Sequence, residues 1–384
     1  MMDAVIVEAV RTPIGKRNGG LSGVHPADLS ATVLQGLVDR TGLDPALVED
    51  VIWGCVSQVG EQSMNVGRYG VLAAGWPESV PSTTVDRQCG SSQQAAAFAA
   101  AGVIAGHYDI VVAGGVESMS RVHMFSSVEN GPGHPQSPQV TARYGDQLVP
   151  QGIGAEMIAE KWGLSRERLD SIAVRSHERA AAAIDAGRFA GQIVPVTTPD
   201  GVVVDTDEGV RRGTTLETLA NLKTPFQENG RVTAGNASQI SDGAAALLIM
   251  SADKARDLGL TPIARFVSSA VVGVDPITML TGPIPATRKI LDRSGIPLSE
   301  IGVFEVNEAF ASVIGAWEDE IGPDTDKVNP NGGAIALGHP LGGSGARVMT
   351  TMLHHMRDND IQYGLQTICE GGGMANATIL ELLR

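Results

Sequence analysis

Thr41-Gly42-Leu43…Val48-Glu49-Asp50-Val51-Ile52-Trp53-Gly54-Cys55 is matched far downstream by Ser294-Gly295-Ile296…Ile301-Gly302-Val303-Phe304-Glu305-Val306. Each stretch reads as the end of a helix at a Gly stop, a short amphipathic turn, then an apolar strand. The likeness continues beyond these two blocks. A small-residue helix, Ser91 to Ile104, leads to the strand Ile110-Val111-Val112-Ala113-Gly114-Gly115. Its counterpart is a helix from Gly343 to His355, followed by a strand near Leu365 to Cys369 and a run of glycines. The apolar runs are short and mostly unalternating, as in strands buried on both faces. Helices between them predict mainly parallel pairing. The chain therefore reads as two similar α/β halves related by internal duplication.

Between the halves the texture changes. Gly131-Pro132-Gly133-His134-Pro135 and Ser137-Pro138 read as loop, and Thr198-Pro199-Asp200-Gly201 as a turn. Ile153 to Trp162 and Arg166 to Ala186 read as helices, the second with charges on one face. This part is expected to be an insertion that covers a site. The division that follows is 1–118 plus 241–263 for the first half, 119–240 for the insertion and 264–384 for the second half.

With 384 residues, 43% of them hydrophobic, the chain can bury a large core. Aromatics make up only 4%, while Ala and Gly are abundant, which predicts close helix–strand packing. A net charge of −15 argues against nucleic acid or an anionic membrane surface as partner. It leaves room for a local basic pocket. Three widely spaced cysteines do not form a disulfide framework, and they fit a reducing cytoplasm. The start, Met2-Asp3-Ala4-Val5-Ile6-Val7, reads as the first strand and not as a signal peptide. No apolar run approaches the ~20 residues needed to span a bilayer. No GxGxxG follows a strand, no P-loop is present, and no His/Cys/Asp cluster has metal spacing.

Three motifs carry chemistry. Cys89 opens Cys89-Gly90-Ser91-Ser92-Gln93-Gln94, at the start of the small-residue helix. A thiol there faces free N–H groups and the positive end of the helix dipole, which favour thiolate, the nucleophilic form. Cys369 precedes Gly371-Gly372-Gly373, and His339 stands in Gly338-His339-Pro340, where its neighbours impose a tight, non-helical presentation. The other seven histidines lie outside any such motif and read as structural or surface residues.

Over its whole length the chain resembles the thiolases. The blocks that carry the resemblance are Glu8-Ala9-Val10-Arg11-Thr12-Pro13-Ile14-Gly15-Lys16, the Cys89 segment and Gly114-Gly115-Val116-Glu117-Ser118-Met119-Ser120. Thr233-Ala234-Gly235-Asn236-Ala237-Ser238-Gln239-Ile240-Ser241-Asp242-Gly243-Ala244-Ala245 follows. The last are Asn307-Glu308-Ala309-Phe310, Asn331-Gly332-Gly333-Ala334-Ile335-Ala336-Leu337-Gly338-His339-Pro340, and Cys369-Glu370-Gly371-Gly372-Gly373. They occur in family order. The resemblance implies the thiolase fold, an α/β architecture of five layers (α-β-α-β-α).

It also implies an acyltransferase acting on coenzyme A thioesters, with no tightly bound cofactor and no metal. Coenzyme A would be a substrate, and the assembly a homodimer or homotetramer. By resemblance Cys89 carries the acyl group, Cys369 is the acid/base at the α-carbon, and His339 activates Cys89 and the incoming thiol. Asn307 would hold a water beside His339, forming one oxyanion site. The N–H groups of Cys89 and Gly371 would form the other, glycine allowing unusual dihedrals and close approach. Ser238 would touch the pantetheine arm, and Lys223 would lie near the nucleotide.

Some positions depart from the family pattern. Asp86-Arg87-Gln88 precedes the nucleophile where Asn is commoner at the first position. Glu370 follows Cys369 where an apolar residue is usual, and a carboxylate there would raise the thiol pKa of Cys369. Pro150-Gln151-Gly152 stands where acetoacetyl-specific members often carry His-Met-Gly, which predicts a roomier acyl pocket. The start Gly15-Lys16-Arg17-Asn18-Gly19-Gly20-Leu21-Ser22-Gly23 resembles actinobacterial thiolases of steroid breakdown.

The leading expectation is a degradative 3-ketoacyl-CoA thiolase. The alternatives are acetoacetyl-CoA synthesis on the same residues, a decarboxylating ketosynthase-like enzyme, and a non-catalytic acyl-CoA-binding relative. Cys369 counts against the ketosynthase, and retention of Cys89, His339 and Cys369 against the binder.

Overall fold

The computed structural model describes residues 3–129 and 131–384. Met2, read above as part of the first strand, lies outside them. The strands of the core are β1 (Ala4–Arg11), β2 (Asp50–Gly54), β3 (Ser82–Val85), β4 (Ile110–Ser118) and β5 (Ser241–Ser251). β6 (Ala264–Gly273), β7 (Ile301–Val306), β8 (Tyr363–Glu370) and β9 (Met374–Leu382) complete them. The main helices are α1 (Pro26–Thr41), α2 (Ser91–Ile104), α3 (Gln151–Lys161) and α4 (Arg166–Asp185). α5 (Pro283–Ser294), α6 (Ala311–Ile321) and α7 (Ser344–Asp358) follow.

The strand order is β7-β8-β9-β6-β1-β5-β4-β2-β3. Read outward from the centre, the halves are β1-β5-β4-β2 and β6-β9-β8-β7, the same order with the same directions. They meet where Val5 pairs with Arg265 and Ile6 with Ala264. The internal duplication is thus real. Its two matched stretches fold alike: α1 and α5 each end on a left-handed glycine, Gly42 and Gly295, followed by a 3₁₀ turn and then β2 or β7.

The expected parallel pairing is corrected. Only β2–β3, β2–β4 and β7–β8 run parallel, whereas β4–β5, β5–β1, β8–β9 and β9–β6 are antiparallel. The cause lies in the connections. β8 and β9 are joined by the three glycines 371–373, too short for a crossover. β4 ends at Ser118 and β5 starts at Ser241, so a long excursion frees β5 to return antiparallel.

Alternation along the strands makes the layers. In β4, Val112 and Val116 face α1, packing with Leu29, Val33 and Leu37. Val111 and Ala113 face the other way, onto Ala95, Ala96 and Ala99 of α2 and Met349 and Met352 of α7. α2 and α7 thus form the central layer, shared by both halves of the sheet. Small residues permit this closeness: a Cβ at Gly345 would run into the backbone nitrogen of Gln93. α5 and α6 cover the outer face of the second half through Ile290, Ile314 and Trp317. The result is the five-layer α-β-α-β-α architecture that the resemblance implied.

The excursion contains α3, α4 and a small hairpin pairing Val196–Thr197 with Val203–Val204. Ser137-Pro138, read as loop, starts the short helix Pro138–Tyr144, with Ser137 capping it through Val140 N–H. α3 and α4 do not stand apart. Ala155, Ile158, Leu169 and Ile172 join the same core as Ile314 and Trp317. Polar anchors tie the rest down: Arg11 forms a fully buried double contact with Asp207 at 2.7 and 2.8 Å, and Ser176 donates to Glu308 at 2.6 Å. Among the described residues, no helix is long and apolar enough to cross a membrane.

Candidate active site

The Cys89 loop precedes α2. Gln88 is left-handed (φ 49°), and Gly90 is the helix N-cap, so Cys89 sits just outside the first turn. Hydrogen bonds fix this bend. Gln88 N–H donates to Asp86 Oδ1 at 2.7 Å, Arg87 N–H to Ser91 Oγ at 2.9 Å, and Ser91 Oγ to Gln88 O at 2.5 Å. From the other half, the β8–β9 hairpin brings Cys369 and Gly371. The backbone N–H groups of Cys89 and Gly371 both face the Cys89 sulfur. The two thiols lie close enough for the charge of one to oppose ionisation of the other.

At Gly371 the glycine serves space and not an unusual dihedral. Gly372 and Gly373 are the left-handed residues of the turn (φ 81° each), whereas a Cβ on Gly371 would stand 3.1 Å from Gln88 Oε1 and 3.2 Å from Gln151 Nε2. That contact also places Gln151, the first residue of α3, against the turn at Gly371.

His339 lies in a bend between the turn Ala334–Leu337 and α7, with Gly338 at φ 110°. Its N–H donates to Ser241 Oγ at 3.1 Å. Ser344 Oγ donates to Pro340 O at 2.8 Å, so it accepts from His339 Nδ1–H at 2.6 Å. That leaves Nε2 as the free base. Asn307 Nδ2 approaches Nε2 at 3.4 Å, and Asn307 Oδ1 is buried without a protein partner. Asn307 follows β7, held by its own N–H on Thr367 O of β8 at 3.1 Å.

Electrostatics correct one expectation. The helix start was to favour the Cys89 thiolate. Instead burial, then Glu370, pushes the thiol up to about 12, with the Cys89 and Gly371 N–H groups only partly offsetting this. Burial, the neighbouring Cys89 and then Glu370 raise Cys369 well above its usual value, in the direction expected for Glu370. Burial, then Arg347, lowers His339 to about 3. At rest both thiols and the imidazole are therefore neutral.

Ser238 lines a cavity of about 640 Å³ with Lys16, Arg17, Arg211, Ala234 and Ile240. Its N–H donates to Ala309 O at 2.9 Å, which joins its loop to the Asn307 segment. Lys223 is exposed beyond the short helix Leu216–Ala220 and does not line this cavity. The cations that do line it are Lys16, Arg17 and Arg211, which the motifs did not single out.

Sequence reasoning also missed Glu117. Its buried carboxylate accepts from Val56 and Ser57 N–H at 3.0 Å, Gly342 N–H at 2.8 Å and Gln62 Nε2 at 2.7 Å. It thereby ties the Cys55 loop to the segment after His339. An acidic residue closing an otherwise apolar strand was the available signal. The reading of other histidines as structural agrees with His25, which caps α1, and with buried His177 and His354.

Sequence comparison matches this arrangement to two descriptions: "Thiolase, N-terminal domain" over residues 4–253, and "Thiolase, C-terminal domain" over residues 260–382. The chain belongs to the thiolase family. It is 52% identical to a steroid 3-ketoacyl-CoA thiolase of Mycobacterium tuberculosis, over 100% of this chain and 95% of that protein. It is 46% identical to a 3-ketoacyl-CoA thiolase of Erwinia tasmaniensis, over 99% of this chain and 100% of that protein. Among solved structures it resembles the Bacillus anthracis acetyl-CoA acetyltransferase (TM-score 0.91, 40% identity, 100% of this chain and 99% of that one). As a thiolase, the chain is an acyltransferase.

Proposed function

We infer that this thiolase cleaves 3-ketoacyl-CoA with coenzyme A, giving acetyl-CoA and a shortened acyl-CoA. The observation that carries the reading is the meeting of the Cys89 loop, a second thiol and two N–H donors across the two halves, with His339, its Nδ1–H held by Ser344, offering Nε2 as a base.

In the proposed sequence, His339 Nε2 takes the Cys89 proton as Sγ attacks the 3-keto carbon. The C2–C3 bond breaks, its electron pair passing to C2 as the acetyl-CoA enolate. Cys369 protonates C2, and the acyl group stays on Cys89 as a thioester. Coenzyme A then enters, loses its thiol proton to the base and displaces Cys89. By then the proton taken by His339 in the first half has passed to Cys369, replacing the one it gave, and the proton taken from coenzyme A passes on to Cys89 as its thiolate leaves. The N–H groups of Cys89 and Gly371 support one oxyanion. Asn307, with its open Oδ1, and His339 would support the other through a water.

Coenzyme A is proposed to lie along the cavity of Ser238, its phosphates near Lys16, Arg17 and Arg211, whereas Lys223, outside that lining, is not assigned to the nucleotide. The division 1–118 plus 241–263, 119–240 and 264–384 belongs to the same reading. So does a cytoplasmic homodimer or homotetramer. Supporting an assembly, β3 is an edge strand, and Met64, Tyr69 and Leu72 nearby are exposed.

The substrate class is proposed to be medium, long or polycyclic 3-ketoacyl-CoA. The steroid-named relative and Gln151 against the turn at Gly371 support it. The similarity to an acetyl-CoA acetyltransferase favours a second reading, acetoacetyl-CoA synthesis by the reverse route. A panel of 3-ketoacyl-CoA esters, from acetoacetyl to steroid, decides. Pocket differences of roughly 1–3 kcal/mol per methylene are measurable as kcat/KM ratios. Longer or polycyclic esters are expected to be cleaved at least as efficiently as acetoacetyl-CoA. Activity on acetoacetyl-CoA alone would establish the synthetic reading instead.

A further inference from the structure

Glu370 ends β8 directly after Cys369. Alternation sends its side chain to the opposite face of the strand from Cys369. There it meets the nucleophile loop. A Cβ at Gly90 would run into Glu370 Oε1 and lie 2.8 Å from Asn376 Nδ2, so the glycine after the nucleophile makes room for the carboxyl. Asn376 of β9 closes the pocket, donating to Gly90 O at 3.1 Å. The residue is fully buried, and both carboxyl oxygens lack a hydrogen-bond partner, as do Asn376 Oδ1 and Arg87 Nε. Arg87, whose guanidinium reaches Met374 Sδ at 3.9 Å, lends the nearby positive charge, and Asp86 on the same loop opposes it.

We propose that Glu370 is a positioning residue of the reaction centre: a buried carboxyl between Gly90 and Arg87 whose neutral form permits the Cys89 thiolate and whose ionised form opposes it. An unpaired carboxylate is costly to bury, while the neutral acid is not. Burial accordingly raises Glu370 to about 8, Arg87 pulling down and Asp86 adding to the rise. Below that pH the site holds two thiols, a neutral imidazole and a neutral acid. Above it, a negative charge stands next to both cysteines, which accords with Glu370 raising each of them. The remaining charged group acting on Cys89 is Glu117, a weaker influence.

The proposal rests on Cys89 as nucleophile but not on any substrate, so its test uses the resting enzyme. Alkylation of Cys89 by iodoacetamide, followed by peptide mass, reports thiolate. Glu370→Gln and the parent enzyme should react within about twofold of each other near pH ~6.5. The variant should be about tenfold faster near pH ~9.5, equivalent to one pKa unit. A ratio that stays constant with pH overturns the proposal. If the variant does not fold, infrared difference spectra of the parent enzyme serve in its place. Because burial also raises Glu305 to about 8, the titration is repeated in Glu305→Gln: a protonated-carboxyl band should remain there at neutral pH and vanish as pH rises through about 8, and its absence at neutral pH overturns the proposal. Failure of the ester panel with success here would leave Glu370 in place and change only the reaction.

Discussion

Cys89 and His339 are both neutral at rest, one pushed up to about 12 and the other down to about 3. In the proposed reaction, proton transfer between them accompanies attack on the carbonyl, when the N–H groups of Cys89 and Gly371 acquire a negative oxygen to stabilise. The two thiols then have separable duties. Cys369→Ala should still exchange acyl groups between thiols while losing cleavage and condensation by 10²-fold or more, since acid–base catalysis supplies on the order of 10²–10⁴. His339→Ala should slow both half-reactions. Wild-type thiolysis by Cys369→Ala would remove Cys369 from the assigned role. At this scale the sequence was legible for Cys89, Cys369 and His339, because each stands in a compact motif. It misjudged the Cys89 thiol because burial, which only the folded chain reveals, outweighs the helix start. Ser344, which sets the His339 tautomer, carried no signal beyond heading α7.

At the scale of elements, the repeat was readable because glycine stops and apolar runs are local patterns. Strand direction was not. An apolar run looks the same in either direction, and only the short glycine hairpin between β8 and β9 held a clue. The insertion illustrates the same limit. Its helices were visible by periodicity, but not its attachment through Arg11 and Asp207, which are far apart in sequence and both fully buried. Arg11 also donates to Gln192 Oε1 at 2.8 Å, and Asp207 accepts from Ile14 N–H at 2.8 Å. Removing one member of a buried pair leaves the other uncompensated, at about 3–5 kcal/mol. Arg11→Met should therefore lower unfolding free energy by that amount in urea titrations, and the double variant Arg11→Met/Asp207→Leu should recover part of it. A loss below about 1 kcal/mol for Arg11→Met would show that the insertion is held by its apolar contacts alone.

For the whole molecule, the buried ionisable groups set opposing demands on stability. His177 and His354 are lowered to about 4 and His339 to about 3, mainly by burial, against 6.5 for a free imidazole. As pH falls below 6.5 the unfolded chain binds these protons first, so stability falls with acid. Glu305 and Glu370 are raised to about 8, against 4.5 for a free carboxyl, again mainly by burial. The folded chain keeps those protons longer, so stability falls as pH rises from 4.5 to about 8, with Glu117 and Glu308 shifted in the same direction. Each group contributes a slope of ~1.4 kcal/mol per pH unit. Between 4.5 and 6.5 the three histidines outweigh the two carboxyls by one group, about 1.4 kcal/mol per unit, a rise that the upward shifts of Glu117 and Glu308 reduce. Above 6.5 the histidines no longer titrate, and Glu305 with Glu370 impose a loss of roughly 2.7 kcal/mol per unit. The urea midpoint should therefore rise gently with pH at mildly acidic pH, turn over near 6.5 and decline toward 8. Glu305→Gln replaces an acid that is neutral below about 8 by a neutral amide of the same shape, so it should change stability little at mildly acidic pH. Its alkaline decline should be about half as steep as the parent's, one carboxyl in place of two. A midpoint that rises between pH 6.5 and 8 would mean that these carboxyls are ionised in the folded chain, and the neutral resting site would have to be abandoned with them.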